Sequence, residues 1–167
     1  MRPEPYRWIA GVIAAHKDRR VVGRTRLQKT IKLLQRKGLP TDLSYSIHFY
    51  GPYSEGLNSE LRFLKQYQLV TEEVKENEQS DQHCYIYIAT EAADLPEVQD
   101  YAADIKLIEA AEPIPLELAA TYDTFREMGF DHAESLKRLR EKKGAKCQNG
   151  NEDAALDLLR KLDLPTR

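Results

Sequence analysis

Residues 24–70 constrain the fold more than any other part of the chain. This segment begins with RTRLQKTIKLLQRKGLP, in which apolar residues recur every three or four positions. Leu27, Ile31 and Leu34 would lie on one face of an α-helix running from about residue 24 to 37. Gly38 and Pro40 then favour the end of that helix. The other faces carry the basic residues Arg26, Lys29, Lys32, Arg36 and Lys37.

The second half of this segment predicts a strand, a turn and another helix. Residues 45–50 alternate and are rich in β-forming types, which favours a short strand, and Gly51-Pro52 should break it. Ser54 is expected to cap a helix with a core stripe at Leu57, Leu61 and Leu64. Residues 70–75 and 83–89 are typical of two strands of a hairpin, with residues 76–82 at its tip.

The flanking regions complete an α+β pattern. Residues 5–16 predict a first helix, and DRRVVG a turn before the second. After residue 89 only helical patterns follow, with Asp131 and Asn151 as expected caps of the last two helices. This order of elements is that of a winged helix-turn-helix. We predict that fold at residues 3–92, followed by an α-helical extension at residues 93–167 that packs on it or forms a dimer.

Several motifs carry a family resemblance. LQKTIKLLQ, FYGPYSEGLNSEL and QLV resemble the YwgA-like family of small bacterial and archaeal winged-helix proteins, and PLELAATYDTFREMGF resembles the helical tail of that family. Gln68 stands where the family has Gly. More distantly, LQK and YGP are similar to the Panacea-type antitoxin domain, which neutralises varied toxins. The resemblance implies a winged helix-turn-helix in regulatory, toxin-control or phage-defence settings, and it brings no catalytic residues.

The charge of the chain is unevenly distributed. Residues 1–40 hold eleven Lys and Arg against Glu4 and Asp18, a balance of +9, and since the net charge is −2 the remainder carries −11. Such asymmetry indicates a polyanion or an acidic partner at one end. We therefore predict duplex DNA as the ligand of a non-enzymatic regulator or accessory subunit, with a homodimer presenting paired half-sites.

The predicted DNA contacts fall on the second and third helices. The second helix would follow the phosphate backbone without reading sequence. The third would present amide and guanidinium groups to base edges, and the YGPYS corner at its start could hold a phosphate or serve only as a structural corner. The predicted nucleic-acid-binding residues are Arg24, Arg26, Lys29, Lys32, Arg36, Tyr53, Ser54, Asn58, Arg62, Lys65 and Gln66.

The predicted wing favours a different partner. Glu72, Glu73, Glu76, Glu78 and Asp81 face only Lys75 in this hairpin, so a phosphate backbone would repel it. The alternative function is therefore a protein-interaction module, an antitoxin-like or defence-complex subunit whose partner is encoded by a neighbouring gene.

Other functional classes have little support in the sequence. The four histidines are dispersed and no nucleotide-binding, hydrolase or zinc motif is present, so we predict no enzyme activity, no cofactor and no metal site. No run of about 18 apolar residues indicates a membrane span. The first residues do not form a signal peptide. Cys84 and Cys147 fit free thiols in a reducing cytoplasm.

Overall fold

The computed structural model describes residues 2–76 and 83–167, which form an α+β fold. The helices in these ranges are α1 (Pro5–Ala14), α2 (Arg24–Arg36), α3 (Glu55–Gln66), α4 (Ala102–Ala110), α5 (Pro113–Glu127), α6 (His132–Lys143) and α7 (Asn151–Lys161). The strands are β1 (Arg20–Val22), β2 (Ser46–His48), β3 (Gly51–Tyr53), β4 (Val70–Glu76) and β5 (His83–Ala89). Short 3-10 turns occupy Lys17–Arg19, Glu91–Ala93, Pro96–Tyr101 and Gly144–Cys147.

Three strands form an antiparallel sheet in the order β1-β5-β4. The two predicted strands after residue 69 are confirmed as the antiparallel pair β4 and β5. The predicted wing tip falls largely on residues 77–82, which include Glu78 and Asp81 and lie outside the described residues. The sequence predicts a turn at DRRVVG, but Arg20–Val22 forms β1. Val21 is buried and lies opposite Tyr87 of β5, so tertiary pairing decides the structure of a segment too short for a periodic signal.

The FYGPYS segment differs from its prediction. Gly51-Pro52 does not end the strand but begins β3, which pairs antiparallel with β2 and places Ile47 opposite Pro52. Pro lacks an amide hydrogen and is tolerated in strands at sheet edges. Gly51 has a φ of +99°, and an ideal Cβ there would lie 2.6 Å from Thr121 Oγ1 on α5. Glycine is therefore required both by the backbone conformation and by the close approach of α5.

Two of the three predicted helix caps are confirmed. Ser54 Oγ accepts a hydrogen bond from the Leu57 amide at 3.2 Å, and Asp131 Oδ1 accepts one from the Glu134 amide at 2.8 Å. Asn151 does not cap α7. Gly150 precedes the helix with a φ of +80°, and Asn151 Nδ2 instead donates to the carbonyl of Lys146 at 3.0 Å.

Helix α5 lies at the centre of the fold. Every residue from 115 to 125 is buried, because α2, α6, α7 and β3 all pack against this helix. One cluster of buried apolar side chains extends from Trp8 on α1 to Leu164 after α7, so it includes residues on both sides of the predicted domain boundary at residue 93. Residues before and after 93 thus share one core, while the division into two domains and the homodimer stay predictions. No helix in the described ranges has the length and apolar character to cross a membrane.

Candidate binding site

Two of the residues predicted to grip a phosphate backbone from α2, Lys32 and Arg36, form ion pairs with α5. Lys32 Nζ lies 3.0 Å from Glu127 Oε1 and 3.8 Å from Asp123 Oδ2. Arg36 binds the same Asp123 carboxylate through Nε at 2.8 Å and Nη2 at 3.3 Å. The side chain of Lys32 is 1% exposed and that of Asp123 is 0% exposed. The prediction that Lys32 faces solvent is therefore wrong, and half-buried Arg36 is engaged by the same carboxylate.

Lys29 is also buried, with an exposure of 3%. Its Nζ donates a hydrogen bond to the carbonyl of Pro52 in β3 at 2.8 Å. Burial lowers the pKa of Lys29 to about 8; the charge of Glu117 acts against this shift, and the charge of Lys143 adds to it. The prediction that Lys29 lies on an exposed helix face is wrong, because β3 and α5 cover that face, and its contact with a phosphate stays a prediction.

Arg26 and Arg24 lie at the start of α2 and have different environments. Arg26 donates through Nη1 and Nη2 to the carbonyls of Ile108 and Ala111, at 3.2 and 2.6 Å. It therefore satisfies carbonyl groups at the end of α4 rather than facing solvent. Arg24 remains exposed, with its guanidinium 3.6 Å from the centre of the Tyr85 ring and its Nε 3.3 Å from the Tyr87 hydroxyl.

The residues predicted on and before α3 divide into two groups. Ser54 is fully buried and its hydroxyl caps the helix, so the corner does not present it to a phosphate. The Tyr53 hydroxyl accepts a hydrogen bond from Asn58 Nδ2, and the Tyr53 ring stacks on His48 with 4.8 Å between ring centres. The second group, Arg62, Lys65 and Gln66, is exposed on α3.

A buried glutamine fixes α3 relative to α2. Gln28 Nε2 donates to the carbonyl of Ser54 at 2.9 Å, and Gln28 Oε1 accepts from the amide of Ser54 at 2.8 Å. Both main-chain groups of the residue before α3 are thus satisfied by one side chain. This pair of bonds sets the position of β3 as well, since Ser54 follows directly on that strand.

Exposed aromatic side chains are the surface feature that the sequence analysis missed. Phe49 is 78% exposed and Tyr50 is 50% exposed, and their rings meet edge to face with 4.9 Å between centres. They form the turn between β2 and β3. Lys143 Nζ fixes this turn by donating to the Phe49 carbonyl at 2.8 Å. Two adjacent aromatic residues before Gly-Pro are the sequence signal for this exposed aromatic surface, because a turn rarely buries both side chains.

A second aromatic group lies on α1 and α3. Tyr6, Phe63 and Tyr67 contact one another, with ring centres 5.5 Å apart for Tyr6 and Tyr67 and 6.2 Å apart for Phe63 and Tyr67. Phe63 and Tyr67 are both exposed. These rings lie beside the polar face of α3, so that face is less hydrophilic than its sequence suggested.

A cavity of about 360 Å³ opens between the first turns of α2 and the turn of the β2–β3 hairpin. We call it the hairpin cavity. Its walls are formed by Arg24, Thr25, Gln28, Lys29, His48, Phe49, Tyr50, Gly51 and Tyr53. It brings together three of the predicted site residues, Arg24, Lys29 and Tyr53, although in a pocket rather than on an open face.

Within residues 2–76 and 83–167 no three His, Cys, Asp or Glu side chains are grouped to hold a metal ion. Cys84 and Cys147 are both free thiols. The architecture defines an α+β protein with an exposed aromatic turn beside a cavity that has aromatic and basic walls. No protein-family model matches this chain, and no curated protein matches it.

Proposed function

We propose that this protein is a non-enzymatic protein-interaction module built on a winged-helix frame, which binds a partner protein through the exposed turn of the β2–β3 hairpin. One observation carries the proposal. Of the α2 side chains expected to hold a phosphate backbone, Lys29 and Lys32 are buried and Arg26 and Arg36 are bound by other groups of the protein. The most exposed large apolar residue of the described ranges, Phe49, lies on this turn beside Tyr50.

The order of the elements supports the winged-helix part of the proposal. α1, β1, α2, α3, β4 and β5 follow one another along the chain, and the sheet order β1-β5-β4 places the first strand beside the last. A winged helix-turn-helix has the same sequence of elements. The β2–β3 hairpin is an addition between α2 and α3, at the position of the turn in that fold.

The composition of the exposed turn supports a protein partner. Aromatic residues are enriched at the centres of protein interfaces, where a few of them supply most of the binding energy. Lys143 of α6 binds the Phe49 carbonyl, and the side chains of Phe49 and Tyr50 are exposed. The outer strand β4 carries exposed Glu73 and Glu76, which would repel a nucleic acid backbone. The YwgA-like and Panacea-type resemblance extends the proposal to a toxin-control or defence complex.

The test is co-expression of this protein with the products of the genes that neighbour its own. We expect one product to co-purify with the wild type and to be lost from Phe49→Ser/Tyr50→Ser. The matched control is Val74→Ser/Met128→Ser, which removes two exposed apolar side chains elsewhere and should retain the partner. Loss of the partner from both double variants, or co-purification of no product at all, would contradict the proposal.

Duplex DNA binding is the second candidate, and one observation favours it. Arg62, Lys65 and Gln66 are exposed together on α3, the helix that reads base edges in this class of fold. A salt titration on a labelled random duplex tests it, because each phosphate contact steepens the log–log slope by roughly 0.9. Arg62→Glu/Lys65→Glu should abolish such binding, whereas Lys106→Glu/Lys137→Glu should retain it. The absence of binding at about 50 mM salt would remove this candidate.

A further inference from the structure

The hairpin cavity has an unbalanced charge. Lys29 and Lys143 are both buried beside it, and Lys146 lies next to them. Within the described residues, one carboxylate, Glu117, serves this group: it lies 3.2 Å from Lys143 Nζ and 3.0 Å from Lys146 Nζ. At the other end of α2, by contrast, Lys32 and Arg36 meet two carboxylates. The end of α2 near the hairpin therefore holds an excess of positive charge.

Lys29 retains hydrogen-bonding capacity toward the cavity. Its ammonium group has three N–H donors, and in the described part of the chain one acceptor, the Pro52 carbonyl, is within hydrogen-bond distance. Burial without a full set of partners accounts for the lowered pKa of this lysine, because a desolvated ammonium group favours its neutral form. An anion in the cavity would offset the free-energy cost of desolvating this ammonium group.

The first turn of α2 forms a second wall suited to an anion. This helix has 13 residues, its preceding residue Gly23 provides no side-chain cap, and its first turn contains no acidic residue. The amide groups at its start therefore lack intrahelical acceptors, and the helix dipole favours negative charge there. Arg24 and Thr25 of this turn line the same cavity as Lys29.

The remaining wall is aromatic. His48 and Tyr53 stack on each other, and Phe49 and Tyr50 flank the opening. Flat rings pack favourably on such side chains, in offset-stacked or edge-to-face arrangements. A volume of about 360 Å³ is within the range of small-molecule sites, which combine apolar walls with a few polar groups.

We propose that the hairpin cavity binds a small organic anion, with its oxyanion between Lys29 and the first turn of α2 and a flat ring against the aromatic residues of the hairpin. The oxyanion is a phosphate or a carboxylate, which share this chemistry. The cavity shares Phe49 and Tyr50 with the proposed partner surface, but its binding of an anion does not depend on a partner protein.

Calorimetric and NMR titration with four probes tests the site: inorganic phosphate, AMP, benzoate and adenosine. We expect saturable binding of AMP or of benzoate, and at least about tenfold weaker binding of uncharged adenosine than of AMP, the loss of one charge-assisted contact. Tighter binding of AMP than of benzoate identifies the oxyanion as phosphate, and the reverse order as carboxylate. No saturable binding of any anionic probe up to about 10 mM would overturn the proposal.

Two variants locate the binding. Lys29→Met removes the buried charge and should abolish anion binding. Because this change could also alter folding, the decisive variant is Thr25→Glu, which places a carboxylate at an exposed position of the first turn of α2, where negative charge favours the helix. Thr25→Glu should weaken binding of the anion by at least about tenfold.

The matched control is Thr71→Glu, the same change at an exposed position of β4. It should leave the affinity within about twofold of the wild type. Equal weakening in the two variants would place the anion outside the cavity and overturn the proposal. Because these titrations contain no partner protein, their outcome is independent of the co-expression test.

Discussion

The guanidinium of Arg36 on α2 holds the carboxylate of Asp123 on α5 through two hydrogen bonds, of 2.8 and 3.3 Å. Asp123 is fully buried, and Lys32 lies 3.8 Å from the same carboxylate. This contact ties the helical extension to the preceding residues of the fold. It also explains how α2 can bury Lys32 beside Arg36, since carboxylates of α5 meet both side chains.

The first prediction concerns this ion pair. Asp123→Asn should lower the free energy of unfolding by about 3 kcal/mol, because Lys32 and Arg36 would lose their buried counter-charge. Urea unfolding followed by circular dichroism measures the change. The control is Asp157→Asn, which breaks an exposed pair with Lys161 and should cost less than about 0.5 kcal/mol. Similar losses in both variants would mean that Asp123 is not a structural counter-ion.

The second prediction separates two roles of Gly51. Gly51→Ala should destabilise the protein more than Gly129→Ala. Both glycines have positive φ, +99° and +101°, but Gly129 has no atom within 4 Å of an added Cβ, whereas Gly51 meets Thr121 Oγ1 at 2.6 Å. We expect about 1 kcal/mol for Gly129→Ala from the backbone alone and at least about 2 kcal/mol for Gly51→Ala.

Thermal and urea unfolding of the double variant Gly51→Ala/Thr121→Ala tests the cause. Removing the hydroxyl should recover part of the loss, which appears as a coupling free energy in the double-mutant cycle. Strict additivity of the two substitutions would show that the contact with α5 does not determine the choice of glycine.

The third prediction is a pH dependence caused by Lys29. Burial lowers the pKa of Lys29 in the folded state to about 8, below the usual lysine value of 10.5. Below pH 8 both states hold the proton and the cost of burying the charge is fully present. Above pH 8 the unfolded state holds more protons than the folded state, so stability rises with pH, by about 2 kcal/mol between pH 7 and 9.5 from this group.

Unfolding free energies at pH 7, 8, 9 and 9.5 provide the measurement. Lys29→Met should flatten the rise, whereas Lys75→Met on exposed β4 should retain it. Burial also lowers the pKa of Lys143, so the unfolding free energy of Lys29→Met should still rise with pH, but by less than that of the wild type. The pH range ends below 10 because burial raises the pKa of Tyr87 to about 12. At higher pH the unfolded state loses its tyrosine proton before the folded state does, so stability then falls as pH rises. An unchanged slope in Lys29→Met would refute the assignment.

The fourth prediction concerns Gln28. Gln28→Glu keeps an acceptor for the Ser54 amide but removes the donor to the Ser54 carbonyl, so a buried carbonyl loses its partner. We expect a loss of about 2 kcal/mol. Gln66→Glu, the same change at an exposed position of α3, should alter stability by less than about 0.5 kcal/mol. Equal stabilities of the two variants would show that this bridge does not fix α3.

Local structure could be predicted from the sequence where one element's own residues specify it. The leucine stripe of α3, its cap at Ser54, the cap at Asp131 and the pair of long strands all depend on spacing or on contacts within a few residues. β1 could not be predicted, because Arg20–Val22 forms a strand through pairing with β5, more than sixty residues later in the chain. The same applies to β3, since Pro52 is admitted by its place at the edge of a two-stranded hairpin.

The sequence by itself determined the α+β class, the helical spacing and the concentration of basic residues on α2. Only the tertiary structure decided where those basic residues point. A lysine has the same pattern in sequence whether its helix face meets water or a later helix, and Asp123 and Glu127 become partners of Lys32 only when α5 packs on α2. Lys32 is buried against carboxylates and Lys29 against a main-chain carbonyl, so the fold of the whole chain determined which surface remained for binding.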